Sequence, residues 1–234
     1  MDFCKKALCA DKTTELNVPM HSQNAYQNVT CGTVDKNGPP CAPTVMYDFK
    51  LPPTSDYDLL ERDGIAQHHL KNLHGKIGSW GPFPPKFPPA KIPMGVNPTE
   101  WMRHRVVEVA SRYVGLPYQH HHDPLWVSKE NGQGIDCSNF STWVYNFALG
   151  IYFTSDCGKQ AESKDSPGRK LDASEPLQVG DLLYLLKGDK SRISHVVIYM
   201  GNGKIIDAGK GGVCIRNHAG WYKSHHLFTR RIIE

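Results

Sequence analysis

The sequence predicts an α+β domain in which helices come first and an antiparallel sheet follows. Before residue 150 apolar residues recur at helical spacing, and after residue 180 they gather in short blocks bounded by Gly, Asp and Asn. Helical segments followed by a run of strands, without βαβ alternation, are the pattern of α+β folds. A chain of 234 residues can bury the core of one such domain and carry an extension besides.

Residues 1–80 are polar and turn-rich and read as an N-terminal extension. Its one helical stretch runs from Tyr57 to Leu73, with Leu59, Leu60, Ile65, Leu70 and Leu73. Residues 81–98, GPFPPKFPPAKIPMGVNP, are dominated by proline, which fixes φ and favours extended chain. This predicts a linker or a strap lying over the following domain; a peptide ligand built on PPKFPP is the alternative. From residue 99 to 234 the pattern is that of a packed domain. Asn97-Pro98-Thr99-Glu100 caps a first helix, carried by Trp101, Val106, Val109, Ala110 and Tyr113 and ending at Gly115. A histidine-bearing loop spans 116–134. A second helix opens at Ile135-Asp136-Cys137-Ser138, carries Phe140, Trp143, Val144 and Phe147, and ends near Gly150. Strands are predicted over 182–186, 195–200, 204–208, 212–216 and 227–233.

Composition narrows the function classes. The net charge is +4 with no polybasic run, so nucleic acid is not a predicted partner. No apolar stretch approaches the ~20 residues that cross a bilayer, so no membrane span is predicted. The N-terminus has two lysines but no apolar segment of secretory-signal length. Seven cysteines, at 4, 9, 31, 41, 137, 157 and 214, show no C-x-x-C spacing of a zinc site, and an odd count leaves at least one thiol free. In an oxidising space Cys4 with Cys9, Cys31 with Cys41 and Cys157 with Cys214 form one set of pairings among several, which leaves Cys137.

Chemistry concentrates on three residues. Cys137 stands at a helix start, where unpaired N–H groups and the helix dipole favour a thiolate. His195 opens the apolar strand His195-Val196-Val197-Ile198, a titratable ring at the edge of a core strand and the partner that thiol catalysis requires. Either residue alone reads as a structural Cys or a satisfied core His. Gly201-Asn202-Gly203 marks a tight hairpin that returns Asp207 toward His195. Direct pairing of His195 with Asp207 requires a three-residue loop or a bulge, and would let the carboxylate orient the imidazole.

Around these residues the sequence resembles the NlpC/P60 family of cell-wall cysteine peptidases. The matching segments are Tyr113-Val114-Gly115-Leu116-Pro117-Tyr118, Gly134-Ile135-Asp136-Cys137-Ser138-Asn139-Phe140, Leu177-Gln178-Val179-Gly180-Asp181-Leu182, and Ile193-Ser194-His195-Val196-Val197-Ile198-Tyr199 with Gly201-Asn202-Gly203-Lys204. They run in the family's order over residues 100 to 210. The resemblance implies a papain-like α+β fold, an NlpC/P60-like catalytic domain over 99–234, and cleavage of amide bonds in peptidoglycan stem peptides. It implies Cys137 as nucleophile, His195 as general base and Asp207 as the orienting polar residue. Tyr118 would lie near the oxyanion or substrate, Asp136 and Ser138 where some relatives hold a free stem-peptide N-terminus, and the Cys137 N–H in the oxyanion hole. No cofactor is required by that chemistry. Where the family has a small Gly-rich turn, this chain has Gln119-His120-His121-His122-Asp123. In extended chain His120 and His122 point one way and His121 the other; a two-histidine metal contact with Asp123 is the alternative to plain polar loop residues, and no metal site is assigned.

The function predicted is therefore a peptidoglycan endopeptidase or amidase acting at the cell wall or in the periplasm. A wall-directed site without a visible Sec signal further predicts an antibacterial effector, a toxin delivered into a rival's periplasm, with an immunity protein as the producer's partner. The alternatives are a Cys-His amidase or acyltransferase on a non-wall substrate, and a catalytically silent wall-binding module.

Overall fold

The computed structural model describes residues 54–234; the expectations for the first 53 residues lie outside the described residues. Helix α1 (Thr54–Lys71) falls within three residues of the predicted stretch. Helix α2 (Pro98–Ser111) starts at the predicted cap, where the Asn97 side chain accepts from the Glu100 N–H at 3.0 Å. Helix α3 (Cys137–Leu149) is buried along its entire length. It ends at Gly150, whose φ of 74° gives the left-handed C-cap that glycine adopts without strain.

The last turn of α3 is held by two arginines from elsewhere in the chain. Arg62 of α1 donates to Phe147 O at 3.1 Å, and Arg105 of α2 donates to Ala148 O at 2.7 Å. Cations at unpaired C-terminal carbonyls complement the helix dipole, and both guanidinium groups bond Asp58, which compensates their burial. Arg62 also donates to Pro88 O at 2.7 Å, so α1 is tied to α3 and to the proline-rich segment together. That segment lies against α3: Phe87 packs edge-on to Trp143 and Phe147, Asn146 bonds both Phe87 N and Pro85 O, and Ala90 N donates to Leu149 O.

Short strands β1 (Val127–Ser128) and β2 (Gly132–Gln133) form a hairpin of their own within the histidine loop. The main sheet follows with β3 (Arg169–Lys170), β4 (Leu182–Leu186), β5 (Ile193–Gly201), β6 (Lys204–Gly209), β7 (Gly212–Asn217) and β8 (His226–Arg231). Its order is β3-β8-β4-β5-β6-β7 and every pairing is antiparallel. Two short helices, α4 (Cys157–Glu162) and α5 (Trp221–His225), were not legible in the periodicity. One core joins α2 and α3 to Tyr184, Val196, Ile198, Met200 and Ile206. A smaller cluster of Leu183, Leu185, Val197 and Ile205 is closed by Tyr222 of α5. The α+β expectation thus describes the fold: helices packed on an antiparallel sheet.

The β5–β6 hairpin departs from the expected register. Asn202 and Gly203, with φ of 50° and 67°, make a two-residue turn, and an irregularity follows between Tyr199 and Gly201. Ile198 pairs with Ile206 and Tyr199 with Ile205, a register that places Asp207 opposite Val197 and not His195. His195 and Asp207 remain on one face as diagonal neighbours, because the shift is by an even number of residues. The bulge expectation holds; the direct pairing does not.

Candidate active site

Cys137 is the first residue of α3, 6% exposed, beneath an N-cap built by Asp136. Asp136 Oδ1 accepts from Ser138 N at 3.1 Å, Ser138 Oγ at 3.1 Å and Asn139 N at 2.9 Å, while Oδ2 accepts from Asn139 Nδ2 at 2.7 Å. The structure thus commits the Asp136 and Ser138 side chains to the helix start. The isolated bridge between Tyr118 and Ile135 lays the Tyr118 strand beside that start. Burial, together with the negative charge of Cys137 and Asp136, raises the Tyr118 phenol above its ordinary range, so it stays a neutral donor.

The second component comes from the sheet. His195 Nε2 bonds Asp207 Oδ2 at 2.6 Å. With Nε2 engaged, the contact of His195 with Cys137 falls to Nδ1. Asp207 is fully buried and also accepts from Tyr222 OH at 3.0 Å and Arg216 Nε at 2.8 Å. Burial by itself would raise its pKa, but the His195 and Arg216 cations outweigh it and hold the carboxyl below its ordinary value. Burial likewise disfavours the His195 imidazolium, yet Cys137 and Asp207 push it up to about 10.

The sulfur does not follow from its helix position alone. The contact with Cys157 and burial push the Cys137 thiol up, and His195 pulls it down. The helix start therefore does not by itself make the thiolate expected from the sequence. The thiol and imidazole titrate as a pair, with Asp207 drawing the shared proton toward the ring.

Cys157, the first residue of α4, stands beside Cys137 and is a free thiol. Cys214 is disulfide-bonded. The expected Cys157–Cys214 pair is not formed, since Cys157 is a free thiol; Cys214 sits in β7 opposite Asp207, while Cys157 opens α4 beside Cys137. The pairings expected for Cys4, Cys9, Cys31 and Cys41 lie outside the described residues.

The three histidines alternate as extended chain requires. His120 Nδ1 lies 3.4 Å from Asp136 Oδ2 and stacks on Trp80, while His122 Nδ1 bonds Asn139 Oδ1 at 3.0 Å and stacks on Phe83. His121 turns inward and packs edge-on against Trp126. Asp123, also buried, is pushed up to about 7 by burial. Among the described residues no group of three or more His, Cys, Asp or Glu is placed to hold a metal ion.

A Cys at a helix start, a sheet His and a buried Asp are thus brought together, and the model of the NlpC/P60 family matches residues 117–232, which contain all three. The domain belongs to the NlpC/P60 family. A gamma-DL-glutamyl hydrolase from Bacillus subtilis is 33% identical over 105 residues, 45% of this chain and 23% of that protein. A gamma-D-glutamyl-L-lysine dipeptidyl-peptidase from the same organism is 33% identical over 111 residues, covering 47% and 33%. The probable peptidoglycan endopeptidase LytE, also from B. subtilis, is 31% identical over 130 residues, covering 54% and 34%. The chain spans a third or less of the first two relatives, so the likeness is one of domain to domain.

Within this NlpC/P60 domain, sequence reasoning missed Arg216, Tyr222, Cys157 and Gln160. A signal for Arg216 was available, since it lies two residues beyond Cys214 and shares the face of β7 that looks toward Asp207. For the others the sequence carries no periodic signal, because α4 and α5 are one-turn helices.

Proposed function

We propose that this domain hydrolyses amide bonds in peptidoglycan stem peptides, with Cys137 as nucleophile, His195 as general base and Asp207 as the residue that orients His195. The observation that carries the reading is the line from the Cys137 sulfur through His195 to Asp207 Oδ2 at 2.6 Å. Two of the relatives, the gamma-DL-glutamyl hydrolase and the gamma-D-glutamyl-L-lysine dipeptidyl-peptidase, are named for γ-glutamyl linkages, which makes the γ-D-glutamyl bond the first to test.

In the proposed reaction His195 Nδ1 takes the proton of Cys137, and the sulfur attacks the scissile carbonyl carbon. Negative charge moves to the carbonyl oxygen. The N–H groups of Ser138, Asn139 and Phe140 are already bonded to Asp136, so the donor assigned at this helix end is the Cys137 N–H, with the neutral Tyr118 phenol beside it. Collapse expels the amine, which leaves with the His195 proton. A water that gives its proton to His195 then attacks the thioester and releases the acid. Asp207 stabilises the imidazolium in both halves, and Arg216 and Tyr222 fix Asp207. No cofactor enters these steps.

The place of action proposed is the cell wall or periplasm, where such a substrate lies; no helix among the described residues is long and apolar enough to cross a membrane. The expectation of delivery into a rival cell, with an immunity protein, rests on N-terminal residues outside the described ones and is carried no further.

Sacculi and released muropeptides should be incubated with the protein and with Cys137→Ala, and new termini identified by mass spectrometry. Cleavage that needs Cys137 supports the proposal and names the bond. A reactive Cys137 thiol without cleavage would redirect the chemistry to a non-wall amide. Binding to sacculi with an unreactive Cys137 would leave a wall-binding module.

A further inference from the structure

Besides Cys137, the described residues contain one more free thiol, and it lies at the same spot. Cys157 is half-buried and in side-chain contact with Cys137, and both thiols lie near enough to Tyr118 to act on its phenol. Nineteen residues of chain separate the two cysteines, and their approach is built, not incidental. Gln160, one turn after Cys157 and fully buried, clamps α4 to the nucleophile helix. Its Nε2 donates to Ser138 O at 2.9 Å, Thr142 Oγ1 at 3.0 Å and Thr154 O at 2.7 Å, and its Oε1 accepts from Ser141 Oγ at 3.1 Å. Asp156 caps the start of the short helix, accepting from Lys159 N at 2.8 Å. The first residue of α4 is thereby held over the first residue of α3.

The catalytic reaction proposed above uses one sulfur. A second thiol in contact with a reactive one has a different chemistry open to it, because a sulfenic acid on the first is resolved by attack from the second before it is oxidised further. Nothing in amide hydrolysis accounts for Cys157 at this position.

We infer that Cys137 and Cys157 form a reversible oxidative-modification site, in which a hydroperoxide converts the pair to a disulfide that switches the active site off. The inference rests on Cys137 being the reactive nucleophile. In the first step the Cys137 thiolate attacks one peroxide oxygen; an S–O bond forms, the O–O bond breaks, and the leaving oxygen departs with the electron pair and takes the His195 proton. The sulfur is oxidised by two electrons and the peroxide is reduced to water or an alcohol. In the second step the Cys157 sulfur attacks Cys137 Sγ; the S–S bond forms, the S–O bond breaks, and hydroxide leaves with the Cys157 proton as water. With hydrogen peroxide the sum is two thiols and one peroxide giving one disulfide and two waters. A dithiol reductant reverses the modification and restores the nucleophile.

The test treats the whole chain with hydrogen peroxide, then maps disulfides and oxidised cysteines by peptide mass spectrometry. Before oxidation a thiol probe on Cys137 establishes its reactivity, so failure of the nucleophile assignment is seen separately. The expected result is a Cys137–Cys157 linked peptide, loss of Cys137 labelling by more than about tenfold, and recovery on dithiothreitol relative to an unoxidised, dithiothreitol-treated control. In Cys157→Ser the same treatment should drive Cys137 on to sulfinic acid, with labelling that dithiothreitol does not restore. A reactive Cys137 that reaches sulfinic acid in the parent protein without the linked peptide would overturn the inference, as would equal recovery in Cys157→Ser. Should that variant fail to fold, the presence or absence of the linked peptide in the parent protein decides.

Discussion

Replacing Asp207 by Asn separates the orienting role of this carboxylate from its structural one. Three donors converge on Asp207: His195 Nε2, Arg216 Nε and Tyr222 OH. The carboxylate accepts from all three, whereas Asn offers one oxygen and turns an N–H₂ toward the remaining donors. Arg216, with a side chain 7% exposed, loses the charge that compensates its burial. Breaking a buried pair by removing one partner costs about 3–5 kcal/mol, so urea denaturation of Asp207→Asn should show a loss of that size. The imidazolium loses its anion at the same time, and kcat/KM on the muropeptide that proves cleavable should fall about 10²–10⁴-fold. The double variant Asp207→Asn with Arg216→Met removes the buried cation as well and should regain about 2 kcal/mol or more. It should regain none of the rate. The reasoning is refuted if Asp207→Asn stays within about 1 kcal/mol and tenfold of the parent, or if rate returns in step with stability in the double variant.

Three further outcomes follow from the same geometry. His195 is raised from 6.5 to about 10, so the imidazolium contributes stability that is fully present below pH 6.5 and lost as pH rises toward 10. Asp207 is lowered, so its contribution is present above its ordinary value of 3.8 and lost as pH falls below it. Parent and His195→Gln should therefore differ most between those values, by about 2–4 kcal/mol, and converge by pH 10; parallel urea-denaturation curves across pH would contradict this. Gly150→Ala places a Cβ 2.4 Å from Pro88 O at a left-handed C-cap, and should cost about 2–3 kcal/mol while increasing cleavage of the 81–98 segment in limited proteolysis; an unchanged protease pattern would remove that segment from the support of α3. Asn146→Leu leaves Phe87 N and Pro85 O without their side-chain partner and should loosen the same segment, at about 1–3 kcal/mol, with α3 itself intact by circular dichroism.

What the sequence disclosed follows the range of each signal. The starts of α2 and α3 were legible because Asn97 and Asp136 are caps acting within three residues, and the end of α3 because Gly150 is a local C-cap. The five main strands after residue 180 were legible as apolar blocks between turn residues. His195 and Asp207 could be placed on one face because strand parity survives an even slip, but their direct pairing could not, since the two-residue turn at Asn202-Gly203 and the irregularity between Tyr199 and Gly201 together set the register two residues from the direct one. The surroundings of Cys137 were harder. Its helix position argues for a lowered thiol pKa, yet Cys157, brought in by Gln160 from a one-turn helix, and burial push the other way. Arg216 and Tyr222 reach Asp207 from β7 and α5, contacts that exist only once the sheet has formed.

The most direct measurement is the mass of the covalent intermediate. The protein should be mixed with the cleavable muropeptide, quenched in acid within the first turnovers, digested and mapped. An acyl adduct of the stem-peptide fragment on the peptide containing Cys137, absent from Cys137→Ala, is the result expected of a thiol nucleophile oriented by His195 and Asp207. Turnover that persists in Cys137→Ala, or an adduct on another residue, would contradict it.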